Sequence, residues 1–190
     1  MRHVNHLSAV VALALLGNSG LAGAQPTSTP LAPVTQPRPC ESVNHRGLDF
    51  WVGDWVVYRA DTNQRVARSR IDSLHDGCVI REQWMPTGSS GGSSLSHYDS
   101  SARVWRQLWL DNTGGRVEFT GGLVGSDMVL TGQWPNVNGP GSDAIIRMTY
   151  TRQADGSVVQ RGDASTDQGR TWQLNFLFIY RHETTPEPTP

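Results

Sequence analysis

The sequence predicts an all-β protein, a single antiparallel up-and-down barrel of about ten strands. Three observations lead there. Helical periodicity is nearly absent from the 190 residues. Short β-prone runs recur between turn signals at roughly 8–12-residue intervals, as in sandwiches and barrels. The links between runs are short, so successive hairpins form a meander, and a meander of this length must close on itself or leave long unpaired edges.

The runs follow in order: FWVGDWVVYRA (50–60), VARSRIDSL (66–74), CVIREQWMP (78–86), SSLSHYD (93–99) and VWRQLWLD (104–111). RVEFTGGLV (116–124), DMVLTGQW (127–134), AIIRMTYTRQ (144–153), SVVQRGDAS (157–165) and TWQLNFLFIYRH (171–182) complete the set. Between them HDG, DSSAR, NTGG, GSD, ADG and TDQG place Asp, Asn and Gly where the backbone must turn. In the last run Trp172, Leu174, Phe176, Phe178 and Tyr180 alternate with Gln173, Asn175, Leu177, Ile179 and Arg181. One face is aromatic and the other mixed, so both are expected to be partly buried.

The chain outside these runs reads differently. Arg2 precedes an apolar stretch ending in Ala22-Gly23-Ala24, the pattern of a cleaved export signal over residues 1–24. Gly17, Asn18 and Ser19 interrupt the stretch, and no later segment is apolar for long enough to span a membrane. Residues 25–44 are rich in Pro and Thr and read as a disordered tether; residues 184–190 read as a tail of the same kind. The barrel is then residues 45–183, in a periplasmic or secreted protein. Cys40 and Cys78 are the two cysteines, and in an oxidising compartment they are expected to pair. The bridge would close a loop of about forty residues, contributing roughly 4 kcal/mol in the chain-entropy picture. All 16 basic residues are arginine, set against 17 acidic ones without a basic cluster, so the electrostatic footprint of nucleic-acid binding is missing.

Ser165–Trp172, STDQGRTW, resembles the Asp-box hairpin of sialidases and other β-propellers. A propeller needs four or more repeated blades, and the pattern occurs once. Its expected role is structural. Asp167 and Gly169 shape the turn, Ser165 and Thr171 close it, and Trp172 anchors the outgoing strand in the core.

A second motif bears on the type of barrel. Gly53-Asp54-Trp55, in LDFWVGDW, resembles the Gly-x-Trp that opens the first strand in lipocalins and their calycin relatives. That resemblance implies that Gly53 lets the chain pass close at the barrel's base, that Trp55 plugs it, and that Arg181 lies across Trp55 as a cation–π lid. LDFWVGDW, GCVIREQW, SLSHYDSSARVWRQLWLD and STDQGRTW together resemble an uncharacterised bacterial domain family of the calycin superfamily, over roughly residues 45–182. The resemblance implies a lipocalin-like barrel and no established reaction.

Catalytic signatures are weak. Gly88-Ser89-Ser90-Gly91-Gly92 fits Gly-x-Ser-x-Gly, but a strand follows it where a hydrolase elbow needs a helix. His45, His75, His97 and His182 have no metal-ligand spacing. Related haem barrels use a late-strand histidine, yet their glycine-rich first-strand signature is missing, so no metal and no cofactor is expected. No residue is assigned a catalytic role.

A pocket is the remaining feature. Glu82 is in phase with Cys78, Ile80 and Trp84, and Gln107 with Trp105 and Trp109; Arg147 stands among Ile145, Ile146 and Met148. Polar groups converging on aromatic walls inside a barrel make a small-ligand site, so Glu82, Trp84, Gln107, Trp109 and Arg147 are the expected binding residues. The opposite phase would turn them all to the surface. Three function classes follow: a binding protein for a small, partly apolar molecule; a barrel enzyme using Glu82 or Arg147; or an envelope interaction module without a pocket.

Overall fold

The computed structural model describes residues 39–88 and 91–183. The expected export signal, most of the Pro/Thr-rich stretch and the C-terminal tail lie outside the described residues. Within them the chain forms β1 Gly53–Arg59, β2 Arg65–Leu74, β3 Val79–Pro86, β4 Gly92–Asp99, β5 Val104–Asp111, β6 Arg116–Val124, β7 Asp127–Trp134, β8 Ala144–Arg152, β9 Val158–Ser165 and β10 Gln173–His182. All ten expected runs are strands. The exception is at the first boundary, where Phe50 and Trp51 belong to a 3-10 turn, Asp49–Trp51, that precedes β1.

Each strand pairs antiparallel with its neighbours in sequence, and β1 pairs with β10, closing a ten-stranded, lipocalin-like up-and-down barrel. Closure removes the edges that a flat meander would expose. No helix among the described residues is long and apolar enough to cross a membrane.

The alternation read from the sequence sets what points inward. Trp55 and Val57 on β1, Ile80 and Glu82 on β3, Ile146, Met148 and Tyr150 on β8, and Val158 and Gln160 on β9 are buried in period two. Besides a register shift between β1 and β2 at Val57/Tyr58, the phase breaks in β10. Leu174 pairs with Asp163, but Phe176 pairs with Gly162, so Asn175 is the extra residue of a β-bulge. The bulge overturns the expectation that Trp172 and Leu174 share a face with Phe176, Phe178 and Tyr180. Leu174 points out and is 54% exposed, whereas Phe176 turns inward.

The barrel's two ends differ. At the end where β1 begins, the segment before β1 folds across the opening. Leu48 and Trp51 are fully buried, and Trp55 Nε1 donates to the Trp51 carbonyl at 2.8 Å. Trp105 Nε1 donates to the Asn44 carbonyl at 2.9 Å, and His45 bridges Ser42 and Ser100. A Cys40–Cys78 disulfide fastens the segment to the turn between β2 and β3, as the cysteine count anticipates. This segment, Cys40 to Val52, is a strap across the opening.

Gly53 has φ +151°, and a Cβ there would lie 3.3 Å from the His182 ring, so the chain passes close to the last strand at the barrel's base. The ring stacked on Trp55 is that of His182, at 4.0 Å, and not Arg181. Register explains the correction. Trp55 pairs with His182, and Val56 with Arg181, so the Arg181 side chain leaves the outer surface, where it covers Tyr58 at 4.7 Å.

Candidate ligand site

Inside the barrel, above the Trp51 plug, is a cavity of about 340 Å³, within the size range of small-ligand sites. Its walls and its floor have different chemistry. Trp84, Trp109, Trp134, Phe119, Phe176 and Phe178 supply the walls toward the end opposite the plug. Trp109 and Trp134 are 6.4 Å apart, Phe119 meets Trp134 edge-on at 6.0 Å, and Phe176 stacks on Phe178 at 5.1 Å. Gly162 makes this crowding possible: a Cβ on it would lie 2.3 Å from the Phe176 ring, so the ring lies flat against bare backbone. The bulged Asn175 donates to Asn138 at 2.7 Å and ties the β7–β8 loop to the rim.

The floor is a polar network. Ser69 Oγ donates to Glu82 Oε1 at 3.0 Å and Ser94 Oγ to Oε2 at 3.2 Å. Tyr180 OH donates to Gln160 Oε1 at 2.8 Å and lies 3.5 Å from Glu82 Oε1. Gln160 Nε2 donates to the Tyr150 hydroxyl at 3.0 Å, and Gln107 Nε2 donates to Ser96 Oγ at 3.0 Å. Tyr150 and Tyr180 in turn rest on the Trp51 plug, with ring centroids at 4.8 and 5.9 Å. Plug, floor and walls are thus one continuous stack.

Among the described residues, Glu82 is the only ionisable acid or base lining the cavity besides the two tyrosine phenols, and it is 4% exposed. Burial pushes its carboxyl up to about 7, against the hydroxyl hydrogen bonds from Ser69, Ser94 and Tyr180 that favour the anion. The phenols of Tyr150 and Tyr180 are raised by burial and, secondarily, by the Glu82 charge.

Four of the five expected binding residues meet here: Glu82, Trp84, Gln107 and Trp109 all line the cavity. Arg147 does not. Ile146 and Met148 occupy the inward positions of β8, so period two sends Arg147 outward; its neighbours in sequence are not its neighbours in phase. There its guanidinium sits 4.2 Å over the Trp172 ring and 3.5 Å from Asp163. Trp172 accordingly packs outside the barrel under Arg147, not in the core.

Several floor residues escaped the sequence reading, namely Ser69, Ser94, Ser96, Tyr150, Gln160 and Tyr180. Signals for them existed. Ser69 is in phase with the apolar Ala67 and Ile71, and Gln160 with Val158, which marks both as inward-facing polar groups. In SSLSHYD the apolar Leu95 faces out while Ser94 and Ser96 face in, an inverted pattern that hydrophobicity alone misreads.

The Asp-box hairpin is remote from this chemistry. Asp167 accepts from Ser165 Oγ, Thr171 N and Thr171 Oγ1 at 2.8, 2.9 and 2.7 Å, and Gly169 N donates to Ser165 Oγ at 2.8 Å. These bonds, led by the Thr171 amide, pull the Asp167 carboxyl down to about 2. The motif closes a turn on itself. Among the described residues no group of three His, Cys, Asp or Glu side chains could hold a metal ion.

In comparisons with known proteins, no protein-family model and no curated protein matches this chain.

Proposed function

We propose that this is an exported protein of the calycin type that binds one small, partly apolar molecule inside the barrel. The observation that carries the reading is the division of the cavity into aromatic walls and a hydrogen-bonded polar floor. Rings supply contact area without much loss of conformational freedom, and a few fixed polar groups set orientation. Export is supported by the residue 1–24 signal pattern and by the Cys40–Cys78 bridge. Calycin kinship is supported by ten-stranded closure and by the buried Trp55 behind Gly53. An enzymatic role for Glu82 with Arg147 is disfavoured, since the two lie on opposite faces of the barrel wall.

The test is titration with a neutral, environment-sensitive naphthalene dye. It should bind at about one per chain and quench tryptophan emission, and Trp109→Ala should weaken it by about tenfold or more. A dye that binds the Trp109 variant as tightly as the parent would overturn the reading.

A further inference from the structure

We propose, resting on the reading of the cavity as a ligand site, that the ligand carries a protonated amine, which pairs with Glu82 while its apolar body lies against the tryptophans. The argument begins with charge. Six elements present side chains to Glu82 or to its partners: Ser69 from β2, Ser94 from β4, Gln107 from β5, Tyr150 from β8, Gln160 from β9 and Tyr180 from β10. The only titratable groups among them are the two phenols, which are neutral at ordinary pH. The chain has no lysine, and no arginine or histidine of the described residues lines the cavity.

The hydrogen bonds have a direction as well. Ser69 and Ser94 both present O–H groups to Glu82, an arrangement suited to a carboxylate that only accepts. A buried carboxylate held by donors but left without a counter-ion is a costly arrangement. A cation delivered by the ligand completes it.

The walls fit the same occupant. Trp84 is two residues from Glu82 on the same face of β3 and stands 6.3 Å from Tyr180 and 5.6 Å from Phe178. An ammonium beside Glu82 would have electron-rich rings for neighbours, the setting in which cations are held by aromatic quadrupoles. An anionic head group would meet a carboxylate with no cation near it, and is disfavoured by the same reasoning.

Two probes of one shape separate the possibilities: naphthylethylamine and naphthylethanol, titrated calorimetrically into the full-length exported protein. At about pH 8, where the carboxylate is ionised and the amine still protonated, the amine should bind about tenfold or more tightly than the alcohol. Its advantage should fade toward about pH 5 as Glu82 takes up its proton. Glu82→Gln should abolish the preference for the amine over the alcohol.

Should that variant not fold, the parent protein still decides. At about pH 6 amine binding should release a proton, read from titrations in two buffers of different ionisation enthalpy, and alcohol binding should not. Equal or tighter binding of the alcohol, a preference that survives Glu82→Gln, or the lack of proton release overturns the amine inference while the ligand-site reading stands. Failure of both probes to bind overturns both.

Discussion

The two ends of this barrel are built from the same amino acids to opposite effect. At the closed end Trp51, Trp55 and Trp105 are fully or almost fully buried, and the indole N–H groups of Trp55 and Trp105 are tied to backbone carbonyls. At the open end Trp84, Trp109 and Trp134 are half-buried around empty space. What differs is the covering chain. The strap from Cys40 to Val52 crosses one end and is bolted down by the disulfide, whereas loops alone rim the other. Tryptophan content thus says nothing about role here; a ring becomes a plug where backbone closes over it and a cavity wall where none does.

The contrast is open to direct attack, and the sharpest blow is at Trp55. Trp55→Ala should cost about 3–5 kcal/mol in denaturant unfolding, as large-to-small core changes do, while Trp109→Ala should cost about 1 kcal/mol and act mainly on binding. Comparable losses at the two sites would dissolve the distinction. Next in size, replacing Cys40 and Cys78 by serine should lower stability by about 4 kcal/mol in the chain-entropy picture, with dye binding at the open end retained at concentrations of denaturant where the barrel survives. Loss of binding in step with loss of the bridge would mean that the two ends are not independent.

A third effect belongs to the floor between the ends. The Glu82 carboxyl titrates near 7 in the folded barrel against 4.5 when unfolded, so the native state holds its proton longer. Stability is therefore greatest below about pH 4.5 as far as this group is concerned, falls as pH rises, and has lost about 3 kcal/mol once pH passes 7. Comparing the pH profiles of the parent and Glu82→Gln proteins isolates the contribution: the difference between them should grow through that window. A difference that stays constant from about pH 4 to 8 would show that the carboxyl is not buried.

The smallest effect concerns the outside of the seam. Arg181→Ala and Tyr58→Ala should couple by about 0.5–1 kcal/mol in a double-mutant cycle. Arg181→Ala and Trp55→Ala should be additive, because one side chain leaves the barrel where the other enters it. Coupling between Arg181 and Trp55 would contradict the register of β1 on β10.

These examples also show how much the chain discloses before folding. Strand positions were legible because Asp, Asn and Gly punctuate every hairpin. Four cavity residues were legible because Glu82 and Gln107 alternate in step with tryptophans. Arg147 was misplaced by reading adjacency in sequence as adjacency on a face, and Trp172 and Leu174 by a bulge at Asn175 that no local pattern announces. The inward serines of β4 were hidden for a different reason. They belong to a polar floor, and a rule that puts apolar side chains inside turns Leu95 inward in their place.

Nine of the ten strand pairings join neighbours in sequence; the tenth, β1 on β10, joins the two ends of the domain. A growing chain can therefore zip up hairpin by hairpin at little entropic expense, yet until β10 is available it carries two open edges, β1 and β9. The bond between Cys40 and Cys78 is under no such delay, since both cysteines precede β3. Oxidation can tether the strap to the β2–β3 turn while the ring is still an open ribbon, leaving the closure of β1 on β10 as the strand pairing of longest range.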